Sequence, residues 1–280
     1  MPLSWMLVVL FAAVLHASWN AVIKSSNDKF HDTVLVTLGS AAVGALLLPW
    51  IPFPAAASLP YLVASVIIHI GYFSLVAVAY RLGEMSYLYP LMRGLAPMLT
   101  ALTASIVIAE ALTPGGKIGI VLLSSGILLL TSEAWWSRKV GFRPTAVGLL
   151  NAVVIALYTL VDGIGLRLSG NPWSYIAWLF LFQPVPFIAF FILSRRGSFL
   201  GHIKRRWRVG ALVGLCTFTS YGLALYAMAH IPIALVAALR ETSVIFGAVM
   251  AAVFLGERFG PVRYLAALLV TTGAVAMKLF

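Results

Sequence analysis

Apolar runs of about 20 residues follow one another along almost the whole chain, and they constrain the fold more than any other feature. Hydrophobic residues make up 62% of the sequence and charged residues only 10%, whereas a water-soluble domain has about 45–50% and about 25%. A soluble core cannot absorb so much apolar surface, so lipid must be the solvent for much of it. We therefore predict an all-α integral membrane protein.

Ten runs are long enough to be membrane-spanning helices. The predicted spans are 3–22, 33–51, 60–80, 85–108, 117–132, 145–166, 173–193, 209–228, 232–254 and 261–279. The first run has no charged segment before it and contains His16, Trp19 and Asn20. We therefore expect it to be the first span and not a cleaved signal peptide. The one cysteine, Cys216, lies in an apolar run, which excludes a disulfide framework and a cysteine-based metal site.

Four residues of the first half recur in the second half at a constant shift of 147 residues, which maps Arg93 to Arg240, Glu110 to Glu257, Pro114 to Pro261 and Gly126 to Gly273. The early spans match less well, and there Ala17-Ser-Trp-Asn stands against Ala156-Leu-Tyr-Thr at a shift of 139 residues. We predict a first five-helix repeat over 1–132, an inter-repeat loop over 133–144 and a second five-helix repeat over 145–280. Since five is an odd number, the second repeat enters the membrane from the opposite side. Such inverted repeats around a central cavity are typical of secondary transporters, which bind substrate near the midplane.

The formal net charge of +11 is better explained by membrane topology than by nucleic-acid binding. The loops after spans 1, 3, 5, 7 and 9 hold 14 of the 19 lysines and arginines, the opposite side holds 3, and two lie inside spans. The positive-inside rule then predicts that the first set is cytoplasmic and that both termini are external.

Three segments carry a family resemblance. They are IVIAEALTPGGKIGIVLLSSGILLL and VFLGERFGPVRYLAALLVTTGAVAM, each with a glutamate before a Pro/Gly turn and a glycine-bearing last span, and the stretch Ala-Ser-Trp-Asn-Ala-Val-Ile-Lys that closes the first span. The chain resembles the EamA-type branch of the drug/metabolite transporter superfamily. This resemblance implies ten helices as an inverted repeat, a central cavity and movement of small metabolites, often outward. Many members are described with cytoplasmic termini, and the charge count here predicts the reverse.

Arg93 and Arg240 are predicted to lie deep inside spans 4 and 9. An arginine at the bilayer centre costs about 2.5–3.5 kcal/mol, so each must face water, an acidic partner or the substrate. A guanidinium suits bidentate binding of carboxylate, phosphate or phosphonate. The alternative is a structural role, in which the arginine pairs with Glu241 or Asp162.

Asp162 and Glu241 are the acidic residues predicted to lie deepest in the membrane. An intramembrane carboxylate can carry a coupling proton, and it can equally hold a fixed salt bridge. Adjacent helical positions point about 100° apart, so Glu241 need not pair with Arg240.

Several further polar and aromatic side chains form stripes on otherwise apolar helices, which lipid cannot satisfy. We expect them to face the interior as substrate contacts, and the alternative is interhelical hydrogen bonding. The candidates for substrate binding, beside Arg240 and Arg93, are His16, Trp19, Asn20, Tyr72, Tyr89, Tyr158 and Tyr221.

The sequence therefore predicts an exporter of a small anionic or zwitterionic metabolite, such as an amino acid, coupled to protons or working by exchange. It would be a multi-pass protein of the cell inner (plasma) membrane, a monomer or homodimer, whose partners are its small-molecule substrate and the lipid bilayer, with no nucleic acid. We expect no cofactor, no metal and no catalysis, because the enzyme motifs that we sought are missing from the sequence. A non-transport membrane protein, such as an intramembrane enzyme or a sensory or accessory subunit, is the alternative.

Overall fold

A computed structural model of the chain describes residues 1–24, 26, 28–132, 141–186, 188–189, 199–255 and 260–279. Across these ranges the secondary structure is helical and contains no strand. The helices are α1 (Leu3–Lys24), α2 (Lys29–Leu47), α3 (Leu59–Leu82), α4 (Met85–Val107), α5 (Pro114–Leu129), α6 (Phe142–Leu168), α7 (Pro172–Phe182), α8 (Phe199–Met228), α9 (Ile233–Arg240), α10 (Ser243–Leu255) and α11 (Pro261–Leu279). Short 3₁₀ turns, Leu48–Trp50 and Ala56–Ser58, join α2 to α3.

Eight helical segments are long and apolar enough to cross a membrane, and α5 and α7 are shorter apolar helices. Large apolar side chains point away from the protein along these segments. Ile106 is 73% exposed, Leu212 66% and Leu7 57%. Such outward-facing apolar surface is stable in lipid and not in water. The chain is therefore a multi-pass integral membrane protein, as the sequence predicts.

The predicted spans agree with the helices to within a few residues, with three exceptions. The basic segment predicted as a loop before residue 209 is instead helical from Phe199 onward, because its long basic side chains can extend from a helix toward headgroups. The ninth span is divided, since α9 ends at Arg240 and α10 begins at Ser243. The seventh predicted span, 173–193, is described as one helix only as far as Phe182. The inter-repeat loop at 133–140 lies outside the described residues, and the count of ten spans stays a prediction.

Helix α5 packs closely against α11 through glycine. A Cβ atom at Gly119 would lie 2.6 Å from the carbonyl oxygen of Gly273, and one at Gly273 would lie 2.7 Å from that of Gly119. A second close approach brings Gly126 against the carbonyl oxygen of Ala266, at 2.8 Å from a Cβ built on Gly126. The 147-residue shift maps Gly119 to Ala266 and Gly126 to Gly273, so it converts the first contact into the second.

Other helix pairs follow the same relation. Helix α6 packs on α3 and α4, and α1 packs on α8 and on the divided pair α9–α10. The divided pair also contacts α4. These helices enclose the interior in which most of the predicted polar residues lie.

Candidate substrate cavity

A small cavity lies between α4, α6 and α9. Its lining residues are Ala96, Pro97, Thr100, Ile155, Tyr158, Thr159, Ala237, Arg240 and Glu241. The cavity volume is about 10 Å³, room for about one water molecule and far below the roughly 300–1,000 Å³ of ligand pockets. Three of the candidates from the sequence, Tyr158, Arg240 and Glu241, therefore line one space, and that space is nearly closed in this conformation.

Arg93 of α4 pairs with Glu241, which follows the last residue of α9. Their Nε and Oε2 atoms lie 2.6 Å apart, and the two side chains are 4% and 5% exposed. Arg93 also lies over the Tyr89 ring, 6.0 Å from its centroid. The structural alternative, in which an arginine pairs with Glu241, is therefore observed for Arg93, between helices of the two halves. Among the described contacts, Glu241 has no ion pair with its chain neighbour Arg240.

Arg240 has a different environment from Arg93. It is buried, and no carboxylate of the described residues lies within ion-pair distance of it. Its guanidinium lies over the ring of Tyr221, 4.6 Å from the centroid, which is a cation–π contact. Its Nε atom is buried and lacks a hydrogen-bond partner among the described atoms.

Asp162 is fully buried on α6 and is held by phenols. The hydroxyl of Tyr175 donates to Oδ1 at 3.1 Å, and that of Tyr221 donates to Oδ2 at 2.6 Å. Asp162 is therefore not an ion-pair partner of either arginine within the described part of the chain, although the sequence allowed that role. Tyr221 links the predicted acid to the predicted substrate arginine.

Aromatic side chains continue the interior beside the cavity. The rings of His69 and Tyr158 are 4.4 Å apart, and those of Tyr72 and Tyr158 are 5.6 Å apart. The structure thus brings Tyr72, Tyr158 and Tyr221 into one cluster, in which His69 is the common neighbour.

The candidates on α1 contact one another, and His16 also lies within electrostatic range of Arg93 and Arg240. Asn20 donates through Nδ2 to the carbonyl oxygen of His16 at 2.7 Å, and the rings of His16 and Trp19 meet edge to face at 5.1 Å. His16, Trp19 and Asn20 are not among the residues that line the cavity. The indole Nε1 of Trp19 is buried and lacks a partner among the described atoms.

Two polar clusters lie toward the helix ends. Near the ends of α4 and α6, Glu110 pairs with Arg167 at 2.9 Å and accepts a hydrogen bond from the backbone N–H of Ala234 at 3.2 Å. Through this contact Glu110 caps the first turn of α9. Its repeat mate, Glu257, lies outside the described residues.

At the opposite helix ends, Asp32 on α2 is buried between two side chains of α8. Its carboxylate contacts His202 at 2.7 Å and Arg206 at 2.8 Å. No sequence motif predicted this cluster.

Sequence reasoning also missed Tyr175. The signal was weak, because this tyrosine stands in the aromatic, apolar run Pro172–Phe182 without a spaced polar partner. As for metals, the described residues contain no group of three or more His, Cys, Asp or Glu side chains that could hold one.

The fold and the buried polar interior together define a multi-pass α-helical membrane protein. The sequence model of the EamA-like transporter family matches residues 145–279. This match confirms the family resemblance over the second half of the chain, and members of that family are typically transporters and not enzymes.

Comparison with solved structures supports the fold over the whole length. A structure described as "Crystal structure of protein" matches with a TM-score of 0.76 at 19% identity, covering 99% of this chain and 98% of that one. At this identity the likeness concerns the fold alone. No curated protein matches the sequence.

Proposed function

We propose that the chain is a secondary active transporter that exports a small anionic or zwitterionic metabolite across the cell inner membrane by alternating access. Amino acids, aminophosphonates and simple organic acids are the substrate classes concerned. One observation carries this proposal, namely that Arg240 lines the cavity without an acidic partner among the described residues. A buried cation without a counter-charge is costly, and an acid group on the substrate would remove that cost.

A buried donor of Arg240 supports a ligand with an acceptor group. Arg240 lines the cavity, and its Nε is a buried N–H donor for which the described atoms provide no hydrogen-bond partner. A carboxylate or phosphonate offers several acceptor lone pairs and no obligatory donor, so it complements this donor.

The difference between the two arginines follows from the repeat. The 147-residue shift that takes Arg93 to Arg240 takes Gly94 to Glu241. The acid that neutralises Arg93 therefore has a glycine as its counterpart, and Arg240 has no equivalent partner. This asymmetry supports a structural role for Arg93 and a substrate-binding role for Arg240.

Alternating access is supported by the packing of the two halves. The paired glycine contacts between α5 and α11, and the repeat-related packing of α6 and α1, fit ten spans arranged as two inverted five-helix repeats. The narrow cavity requires an opening motion before a metabolite can enter. The division between α9 and α10 at Glu241–Thr242 is a suitable hinge beside the arginine.

Glu241 and Asp162 remain our candidates for proton coupling, with substrate exchange as the alternative. Glu241 lines the cavity. Asp162 is connected to Arg240 through Tyr221, which contacts both residues. Protonation of Glu241 would release Arg93 from its ion pair, and this release would link a proton to the conformation of α4 and α9.

Binding to the purified protein tests the substrate class. The probes are L-alanine, succinate and aminomethylphosphonate, each compared with its methyl or ethyl ester, and the readout is thermal stabilisation in detergent. We expect an acid to stabilise the wild type and its ester to have no effect. Arg240→Lys should abolish the difference because the planar fork is lost, whereas Arg208→Lys, at an exposed site, should retain it.

Equal stabilisation by acids and esters, or preference for a quaternary ammonium probe, would show that Arg240 is structural. Binding without flux in liposomes would instead favour the accessory or sensory alternative.

A further inference from the structure

Asp162 has an arrangement that a simple proton carrier or salt bridge does not need. Both of its oxygens accept hydrogen bonds from tyrosines of other helices, Tyr175 of α7 and Tyr221 of α8. Within the described residues it forms no ion pair. Ser65 and His69 of α3 also lie beside this carboxylate, and the two phenols are the contacts that connect it to α7 and α8.

Tyr221 touches both charged groups. Its hydroxyl donates to Asp162 at 2.6 Å, while its ring face lies 4.6 Å from the Arg240 guanidinium. Tyr175 binds the same carboxylate, whereas the aromatic contact of Arg240 in the described part of the chain is with Tyr221. Of the two phenols, Tyr221 therefore connects the acid to the arginine.

The hydrogen bond from Tyr221 to Asp162 should strengthen the attraction between the Tyr221 ring and the Arg240 guanidinium. A hydrogen bond from a phenol to a carboxylate is a strong, charge-assisted one, and it draws electron density toward the ring. A more electron-rich ring attracts a cation over its face more strongly. The same bond fixes the ring orientation, since a phenol anchored at its oxygen loses rotational freedom.

We propose that Tyr221 is a positioning residue through which Asp162 orients Arg240 for substrate recognition. The inference rests on the proposed function in that Arg240 receives the acid group. One face of the guanidinium is occupied by the Tyr221 ring, so its N–H edges remain available to the ligand. Asp162 then influences affinity for the acid group without touching it.

A ligand-free double-mutant cycle tests the connection independently of transport. Asp162→Asn and Arg240→Met are made singly and together, and the coupling between them is measured from the midpoint of thermal unfolding of the full chain in detergent. The cycle is repeated in Tyr221→Phe and Tyr175→Phe backgrounds. Both background changes remove one hydroxyl from the same carboxylate and keep the ring, so they are matched controls.

In the wild-type background, we expect the effects of Asp162→Asn and Arg240→Met on the unfolding midpoint to differ from additivity by about 2 °C or more. The Tyr221→Phe background should lose more than half of this coupling, and the Tyr175→Phe background should retain it. Equal coupling in all three backgrounds would show that the two charges interact through space. Loss in both tyrosine variants would show that Asp162 merely needs its hydrogen bonds to stay ordered. Either result overturns the proposal.

A second readout uses the acid that stabilises the wild type most. Asp162→Asn should weaken its binding about 3- to 30-fold and should have no further effect in the Tyr221→Phe background. If no acid binds at all, the proposed function fails while the ligand-free cycle still decides the role of Tyr221. If Tyr221→Phe does not purify, the ¹³C resonance of the Arg240 guanidinium carbon replaces the cycle. Asp162→Asn should shift this resonance and Tyr175→Phe should not, and the reverse pattern would refute the connection.

Discussion

We predict that the ion pair Arg93–Glu241 stabilises the folded protein and that Arg240 does not. In the pair the two charged atoms are 2.6 Å apart and the side chains are almost fully buried. Glu241→Gln leaves Arg93 as an uncompensated buried charge, which costs about 3–5 kcal/mol. For a chain of this size about 1 kcal/mol corresponds to about 2–4 °C, so we expect the unfolding midpoint to fall by roughly 6–20 °C.

The double change Arg93→Met with Glu241→Met removes both charges and keeps similar volume. Replacing a buried ion pair by apolar residues is often neutral or stabilising, so the double variant should recover most of the loss. Arg240→Met removes a cation that lacks a described acidic partner. The Arg240→Met variant should therefore be as stable as the wild type or more stable, and it should no longer recognise acids. This is the behaviour expected when the replaced residue serves binding at the expense of stability.

The assay is thermal unfolding of the purified protein, followed by intrinsic fluorescence with a size-exclusion check of each variant. Two results would refute the reasoning. The first is that Arg240→Met lowers the unfolding midpoint as much as Glu241→Gln does. The second is that the double variant is no more stable than the Glu241→Gln single variant.

Three further predictions concern packing, one end of the helix bundle, and topology. Gly119→Leu should prevent close packing of α5 on α11 and lower the unfolding midpoint by several degrees. The control Gly71→Leu should leave the midpoint unchanged, since nothing lies within 4 Å of a Cβ at Gly71. Equal effects of the two substitutions would contradict the glycine packing. Arg167→Gln should free Glu110 from its ion pair and loosen the junction of α4, α6 and α9, which faster hydrogen exchange there would reveal and unchanged exchange would contradict. A cysteine replacing the exposed Lys204, in a background without the native cysteine, should resist membrane-impermeant thiol reagents in intact cells, and rapid labelling would reverse the predicted orientation.

The sequence predicted most helix positions because lipid imposes one strong requirement, a long apolar run. It did not predict the division between α9 and α10, since no proline or glycine marks Glu241–Thr242 and the run stays apolar on both sides. It also placed the start of α8 too late, at residue 209 instead of Phe199. In the sequence, a cluster of basic residues favours a loop. Arginine and lysine are also tolerated in a long helix where it leaves the membrane, because their side chains can extend to the headgroups.

The sequence indicated several of the polar residues that the structure buries in the interior, but it did not indicate which of them contact one another. The cost of burying Arg93 and Arg240 predicted that both need partners, and the structure provides Glu241 to one of them and an aromatic face to the other. The choice of partner depends on how helices from the two halves meet, and one chain's spacing does not contain that information. Asn20 illustrates the limit, since its position on a helical stripe is correct but its amide bonds locally to the carbonyl of His16.

Flux through the purified protein in liposomes tests the central claim most directly. Vesicles loaded with L-alanine, succinate or aminomethylphosphonate are compared with vesicles loaded with the corresponding esters, and release is followed with wild-type protein, Arg240→Lys and empty membranes. We predict saturable release of at least one acid above the empty-membrane rate, none of its ester by the same route, and loss of release in Arg240→Lys. Protein-dependent release of acid and ester alike, or acid release that Arg240→Lys leaves intact, would contradict recognition of an acid group by Arg240.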